Sequence, residues 1–224
     1  MQKIDDRLLA ATDFVRGGTV ADIGCDHGKL SVFLVQSGKA KRVIASDVRQ
    51  SPLDKAKKLV EKLGLGAKID CRLADGLNAL APLEAQDIII AGMSGVTLTK
   101  IMSEVSWAKN EALRFILVPA SKAEVLRRWL YENGFEIADE TPVLTKGYYY
   151  PVICTQYTGK CVKVTDDFAY LGKCLHKKSN VADGLRQKVL KELKKELDGK
   201  KIDARYTDED IKSIEKCVAE IEKV

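Results

Sequence analysis

Residues 20–28 read Val-Ala-Asp-Ile-Gly-Cys-Asp-His-Gly, an apolar strand that ends in a turn and leads into a helix. Gly24 lets the backbone of this turn approach a ligand closely, because glycine has no Cβ. A helix that begins near Gly28 directs its first amide N–H groups toward the same turn. The stretch therefore predicts a nucleotide-cofactor site on an α/β fold. Taken alone, a glycine turn is also typical of a tight structural connection.

The sequence around this stretch alternates short β-rich runs with amphipathic helical segments, from Val20 to about Ile153. This alternation is typical of βαβ units and predicts a doubly wound, largely parallel sheet of Rossmann-like type. The predicted strands are Thr19–Ile23, Arg42–Ser46, Ala67–Leu73, Asp87–Ala91, Arg114–Val118, Glu136–Glu140 and Tyr149–Tyr157. The predicted helices are Lys29–Ser37, Ser51–Leu63, Gly95–Glu104 and Lys122–Asn133. Because no helix separates the last two strands, we expect them to form an antiparallel hairpin at the sheet edge.

Two further acids stand where strands of this sheet end. Asp47 closes the second strand, at the distance where Rossmann-type folds place a carboxylate that accepts hydrogen bonds from ribose hydroxyls. Asp75 closes the third strand and is expected to accept a hydrogen bond from an adenine amino group, while Gly76 leaves room for the ring. With Asp22, three acids follow three consecutive strands, which favours one cofactor site over three separate turn or cap residues.

The glycine spacing indicates which cofactor this site binds. The chain has G-x-x-x-G at Gly24 and Gly28, not the G-x-G-x-x-G of dinucleotide enzymes, and Asp22 precedes the turn where methyltransferases carry an acid. The sequence therefore favours S-adenosylmethionine over NAD.

The fourth predicted strand ends in a glycine-rich loop, Ala91-Gly92-Met93-Ser94-Gly95. Ligands of open α/β sheets bind beyond the carboxyl ends of the strands, so we expect the substrate pocket to begin here. Ala91, Gly92 and Met93 are predicted to contact the cofactor. The alternative is a loop without a chemical role.

After about residue 159 the composition changes to Lys- and Glu-rich helix, which predicts two units, residues 1–158 and residues 159–224. Apolar residues at heptad-like spacing predict helices over Ser179–Asp198 and Asp208–Val224, joined by a turn at Gly199–Thr207 with Thr207 or Asp208 as a cap. We expect a coiled-coil hairpin. Its charged outer faces are either solvated or in contact with RNA.

Composition excludes several classes of protein. The hydrophobic share of 46% and charged share of 31% are those of a soluble globular protein, and no apolar run reaches the ~20 residues of a membrane span. Two histidines and six cysteines without a Cys-x-x-Cys pair predict no metal site. The first residues lack a secretory signal, so we expect a cytoplasmic protein. A net charge of +5 permits a polyanionic partner without requiring one.

The segments ADIGxDH at residues 21–27 and IAGMxG at residues 90–95 resemble the bacterial TrmK family, the tRNA adenine(22)-N1 methyltransferases. The similarity extends from Arg7-Leu8, through LRxWL at 126–130 and NGF at 133–135, to the C-terminal helical hairpin. The resemblance implies a Rossmann-like domain with a coiled-coil tail that methylates N1 of an adenine in tRNA. The residues that it implies for S-adenosylmethionine binding are Asp22, Gly24, Asp47 and Asp75. It places Asp26, His27 and the loop Gly92–Gly95 at the reaction centre. We expect the substrate to contact Arg7, Ser94, Gly95 and Pro119.

The chain departs from the family pattern at three places. The family usually reads Asp-His-Ala-Tyr-Leu-Pro where residues 26–31 read Asp-His-Gly-Lys-Leu-Ser, and its Gly-Met-Gly-Gly loop has Ser94 here. Where the family has Gln-Pro-Asn after the fifth strand, this chain has Val118-Pro119-Ala120. These departures leave the methyltransferase prediction in place and bear on which base is methylated.

Methyl transfer to adenine N1 requires positioning more than an activated nucleophile, since N1 already carries a lone pair. The ring becomes cationic on alkylation, and Asp26 is suited to stabilise that charge or to remove an amino proton. His27 is either a base or phosphate contact or a structural hydrogen-bonder. Three alternatives remain: a methyltransferase for a small molecule or protein, a catalytically silent RNA-binding protein, and, less favoured, an NAD-dependent oxidoreductase. We expect a monomer or a weak dimer.

Overall fold

The computed structural model describes residues 1–203 and 205–224. The strands are β1 (Thr19–Ile23), β2 (Arg42–Asp47), β3 (Ile69–Leu73), β4 (Asp87–Ala91), β5 (Arg114–Val118), β6 (Phe135–Thr145) and β7 (Tyr148–Tyr157). The α-helices are α1 (Asp6–Thr12), α2 (Lys29–Gln36), α3 (Gln50–Lys62), α4 (Gly95–Ser103), α5 (Ala123–Glu132), α6 (Asp166–Leu171), α7 (Asn180–Ile202) and α8 (Asp208–Glu222). Short 3₁₀ turns span Gly76–Ala79, Ser106–Ala108 and Gly172–His176. Among the described residues, no helix is both long and apolar enough to cross a membrane.

The seven strands form one sheet in the order β3-β2-β1-β4-β5-β7-β6. The first five are mutually parallel, whereas β7 runs antiparallel to both β5 and β6. The order reverses between β1 and β4, which creates the crevice where doubly wound folds bind ligands. The Rossmann-like prediction and the antiparallel hairpin at the sheet edge are both confirmed.

Helices cover both faces of the parallel part of the sheet. Ile88 and Ile90 belong to one apolar core and Ile89 to the other, and all three are 0% exposed. Neighbouring side chains of a strand point to opposite faces, so a strand buried on both sides reads as a continuous apolar run. One core contains residues of α4 and α5, and the other contains residues of α1, α2 and α3.

The β6–β7 hairpin is longer than the sequence predicted. β6 continues through Pro142 to Thr145, and Pro142 lies opposite Pro151 of β7. Proline cannot donate to a strand ladder and usually ends a strand, but an edge strand tolerates it. The tip has Lys146 and Gly147 at φ values of +50° and +79°, as a two-residue turn between right-handed twisted strands requires.

The C-terminal segment folds into three α-helices with their own apolar core, which includes Leu185, Leu193, Val218 and Ile221. The predicted turn at Gly199–Thr207 was wrong in its first part, because α7 continues through Gly199 to Ile202. The predicted cap is confirmed: the Thr207 hydroxyl accepts the Asp210 amide N–H, and the Asp210 carboxylate accepts the Thr207 N–H.

A buried ion pair joins these helices to the sheet. The Arg127 Nε donates to Glu140 Oε1 at 3.0 Å, and their side chains are 1% and 0% exposed. Arg127 Nη1 also donates to the Ala169 and Tyr170 carbonyls at 2.8 and 2.7 Å. The Lys173 amide donates to the other Glu140 oxygen at 3.0 Å. Buried charges are tolerated only when paired and hydrogen-bonded, so α6 and the turn after it complete this network.

Candidate cofactor and acceptor site

The turn after β1 is fixed by the neighbouring strand and touches the loop after β4. The amides of Gly24 and Cys25 both donate to the Ser46 carbonyl at 2.8 Å. Gly24 has φ +75°, and a Cβ there would lie 2.5 Å from the Met93 Cε. Any larger residue at position 24 would therefore displace Met93. The structure brings together these two predicted cofactor residues, which belong to adjacent loops.

Gly28 has a packing role in this structure. It caps α2 with φ +70°, and a Cβ would lie 2.8 Å from the Cβ of Ala56 in α3. The close approach of α2 to α3 therefore requires glycine here. Its contact with a cofactor stays a prediction.

Asp47 lies at the end of β2 beside the same turn, and its side chain is 6% exposed. One carboxylate oxygen accepts the Asp26 amide at 3.1 Å, and the other accepts the Arg49 amide at 2.9 Å. A carboxylate has about four lone-pair sites, so two remain for a ligand. The Arg49 Nε lies 3.6 Å from the carboxylate. This arrangement fits an acceptor of two ribose hydroxyls.

Asp22 is less accessible than Asp47. Its carboxylate is buried and accepts the Ser31 hydroxyl of α2 at 2.6 Å. Burial raises the pKa of Asp22 from 3.8 to about 6, although the Ser31 hydrogen bond opposes that rise. Burial likewise raises the pKa of the neighbouring Cys25 thiol, so this cysteine is not an activated nucleophile. Asp22 thus ties β1 to α2, and its predicted contact with the cofactor remains untested.

Asp26 and His27 are the accessible groups of this turn. The Asp26 side chain is 62% exposed, and its backbone has φ +51°, a conformation that short polar residues adopt more readily than most. Its Oδ1 lies 3.8 Å from His27 Nε2 and 3.9 Å from the Arg49 guanidinium. His27 Nε2 is also 3.4 Å from the Lys55 ammonium. An exposed carboxylate with an arginine guanidinium and an imidazole beside it is therefore presented at the carboxyl edge of the sheet.

Asp75 and Gly76 lie after β3 at the same edge. Asp75 is exposed and precedes the 3₁₀ turn. Gly76 is buried with φ +52°, and a Cβ would lie 3.2 Å from the Ile101 side chain. Because parallel strands end together, Asp75 joins Asp47 on one rim of the crevice.

The loop after β4 divides into an open part and a packed part. Gly92 is exposed with φ +81°, and no atom lies within 4 Å of where its Cβ would be. Ser94 caps α4, with its hydroxyl accepting the Thr97 amide at 3.1 Å. A side chain on Gly95 would collide with the Lys122 carbonyl. Ser94 and Gly95 therefore hold α4 against the loop after β5, while Ala91 and Gly92 border the crevice.

The remaining predicted substrate residues, Pro119 and Arg7, flank this region. Pro119 is buried directly after β5 and lines a cavity of about 360 Å³. The cavity's other walls come from the loop after β5, from α5, α6 and α7, and from the start of β7, including Tyr149. Arg7 lies 4.5 Å above the ring of Tyr150 and donates to Asp5 at 2.9 Å. No helix was predicted over Asp6–Thr12, so α1, which places Arg7, was unexpected. The tyrosines at the start of β7 were predicted to lie in a strand but were given no role, although three consecutive tyrosines were the available signal.

Comparisons with known proteins agree with this geometry. Residues 4–153 match the family model for a methyltransferase domain. The chain is 34% identical over 155 residues to the tRNA (adenine(22)-N(1))-methyltransferase of Bacillus subtilis, an alignment that covers 69% of this chain and 65% of that relative. The chain thus spans just under two thirds of that relative's length in this alignment.

Solved structures match over nearly the whole chain. The crystal structure of the B. subtilis m1A22 tRNA methyltransferase TrmK superposes with a TM-score of 0.85 at 26% identity, covering 99% of this chain and 97% of that chain. A Streptococcus pneumoniae protein in complex with S-adenosyl-L-methionine superposes with a TM-score of 0.82 at 30% identity, covering 96% and 100%. The resemblance seen in the sequence is confirmed, and the chain belongs to the methyltransferase-domain family and, within it, to the TrmK family of tRNA (adenine-N1) methyltransferases.

Proposed function

We propose that this protein transfers a methyl group from S-adenosylmethionine to N1 of an adenine in tRNA, at the position corresponding to adenine 22. The observation that carries the proposal is the contact between the turn at residues 24–28 and the loop at residues 92–95. It brings the exposed Asp26, the open Gly92 and the partly satisfied carboxylate of Asp47 to one crevice. The likeness to TrmK over 99% of the chain supports the same substrate class.

Different residues of this chain bind different parts of the cofactor. Asp47 accepts the ribose hydroxyls with its two remaining lone-pair sites, and Asp75 accepts the adenine amino group. Gly24 and Gly76 allow the backbone to approach closely, while Ala91, Gly92 and Met93 border the end that faces the acceptor. When bound, S-adenosylmethionine supplies an electrophilic methyl group. Asp22 supports the turn through α2 and Ser31.

Asp26 acts on the acceptor base. As N1 gains its methyl group, the adenine ring acquires a positive charge, which a nearby carboxylate stabilises. The same carboxylate can take a proton from the 6-amino group afterwards and return the ring to neutrality. His27, 3.8 Å from Asp26, orients this carboxylate or contacts a phosphate. Ser94, Gly95 and Pro119 shape the pocket wall, and Arg7 lies on its rim.

The N-terminal and C-terminal parts of the chain have different proposed roles. Residues 1–158 carry the cofactor and acceptor site, and residues 159–224 form a helical unit whose basic groups face tRNA. The protein acts in the cytoplasm as a monomer or weak dimer and needs no metal.

The test is nucleoside mass spectrometry of tRNA after incubation with the protein and S-adenosylmethionine. We expect 1-methyladenosine to appear, and to be absent from a transcript in which adenine 22 is replaced by guanosine. A different methylated nucleoside, or methylation that persists in the altered transcript, refutes the assigned position. Absence of any methylated nucleoside, with cofactor binding intact, favours a small-molecule or protein substrate or a silent RNA-binding protein.

A further inference from the structure

Three consecutive tyrosines at the start of β7 have three different environments. Because strand side chains alternate, Tyr148 and Tyr150 share one face of the hairpin and Tyr149 takes the other. Tyr149 packs against α7, where a side chain on Gly184 would collide with its ring. Tyr150 lies under the Arg7 guanidinium. Tyr148 remains 63% exposed, which makes it the most exposed aromatic residue of the described chain.

The hairpin carries Tyr148 past the end of the parallel strands. β5 ends at Val118, and β7 pairs with it as far as Ile153 opposite Leu117. Tyr148 lies four residues beyond the position opposite Val118, which is roughly 13 Å at about 3.3 Å per residue. β7 is two strands away from β4, or about 10 Å to the side. The tip therefore stands beside the crevice, roughly 16 Å from the end of β4, a distance that about five stacked nucleotides of ~3.4 Å each would span.

The charge of this segment suits a polyanion. No aspartate or glutamate occurs between Glu140 and Asp166, and the segment contains Lys146, Lys160 and Lys163. Lys146 forms the tip itself, next to Tyr148, and is exposed. Arg7 lies over Tyr150 on the same face and is paired with Asp5 at 2.9 Å, so Lys146 is the cation next to Tyr148. An exposed aromatic ring beside a lysine matches the surfaces on which proteins stack unpaired bases.

We propose that Tyr148 is a stacking platform for an unpaired nucleobase a few nucleotides away from the methylated adenine, with Lys146 contacting a neighbouring phosphate. This inference rests on the proposed function, since it takes tRNA as the substrate. The tip positions the RNA and does not touch the reacting atoms. It favours methylation of an adenine that has an unpaired nucleobase a few nucleotides away, because a paired base cannot stack on the ring.

The test compares Tyr148→Ala, Tyr148→Leu and Tyr148→Phe in tRNA methylation and in filter binding of tRNA. We expect the alanine and leucine variants to raise KM and Kd for tRNA about tenfold. This factor lies in the lower part of the range of affinity losses expected when one stacked base loses its aromatic partner. Tyr148→Phe keeps the ring and should remain within about twofold of the wild type. Turnover at saturating tRNA and S-adenosylmethionine affinity should be unchanged in all three.

Two further variants sharpen the test. Lys146→Asn removes the charge while keeping a residue that tolerates the left-handed backbone, and it should make tRNA binding less dependent on salt. Leu63→Ala is the control, because Leu63 is an exposed apolar residue after α3, at the opposite edge of the sheet, and should change nothing.

The inference is overturned if Tyr148→Ala binds tRNA as the wild type does, or if Tyr148→Leu does, since leucine cannot stack. It is also overturned if Tyr148→Ala instead converts a dimer to a monomer in sedimentation, which would make a second copy the occupant. If wild-type protein does not methylate tRNA, the proposed function fails, and filter binding still decides the role of Tyr148.

Discussion

Replacing Asp47 by alanine is expected to weaken S-adenosylmethionine binding by about 1.5–3 kcal/mol, the contribution of hydrogen bonds to a charged acceptor. The structure supports this magnitude, because the carboxylate is 6% exposed and backbone amides use only two of its lone-pair sites. The dissociation constant should rise about 10- to 150-fold. Asp47→Asn should give a smaller loss, because the amide keeps one acceptor oxygen.

Isothermal titration calorimetry with S-adenosylmethionine measures the effect, and thermal unfolding of the same samples measures stability. Asp13→Ala is the matched control: this carboxylate is 70% exposed, pairs with Lys39 and lies at the amino edge of the sheet. An unchanged dissociation constant in both Asp47 variants refutes the ribose site. If affinity falls only in step with a loss of folded protein, Asp47 merely holds the turn at residues 24–28.

Three further predictions concern the turn and the tail. Asp26→Asn should leave S-adenosylmethionine affinity unchanged in calorimetry and lower single-turnover methyl transfer at least about tenfold, as expected for a group that acts in the transition state; an equal loss of cofactor binding would make Asp26 a binding residue instead. Because burial raises the pKa of Asp22 from 3.8 to about 6, the folded state favours its protonated form. Protonated Asp22 therefore stabilises the folded state below about pH 3.8, and this stabilisation is lost as the pH rises to about 6. The free energy of unfolding should fall by at most about 3 kcal/mol over this range, at about 1.4 kcal/mol per pKa unit. Urea unfolding of Asp22→Asn should lack this dependence, and an identical pH profile for wild type and variant contradicts the burial argument. The third prediction replaces three exposed lysines of α7 by glutamine: Lys191, Lys194 and Lys195. The variant should bind tRNA more weakly and with less dependence on salt, while its affinity for the cofactor stays the same. If the salt dependence of tRNA binding does not change, these lysines contact solvent and not RNA.

The part of the site that follows from strand ends was predictable from the sequence. Parallel strands in one sheet end at the same edge, so Asp47, Asp75 and Gly92 had to lie together once the βαβ pattern was recognised. The crevice at the strand-order reversal follows from the same rule. The first, second, fourth, fifth and seventh strands were predicted to within one residue.

The burial of individual polar side chains could not be predicted from the sequence. Arg127 occurs in an amphipathic stretch where arginine normally faces solvent, and nothing in the local pattern shows that Glu140 and two distant carbonyls enclose it. Asp22 likewise reads as a ligand acid, whereas its carboxylate is held by Ser31. β6 is longer than predicted because it continues through Pro142, which an edge strand tolerates although proline cannot donate to the ladder.

The buried pair also determines how the C-terminal helices can be studied. Ending the chain after about residue 159 would remove the carbonyls of Ala169 and Tyr170 and the amide of Lys173, which together satisfy Arg127 and Glu140. Each lost hydrogen bond to a buried charge costs about 1.5–3 kcal/mol, so three such losses rival the stability of a whole domain. If a truncated chain fails to bind tRNA, loss of folding would therefore explain the result as well as loss of an RNA-binding surface. Substituting exposed lysines of α7 leaves the pair intact, so any change in RNA binding then reports on the surface itself.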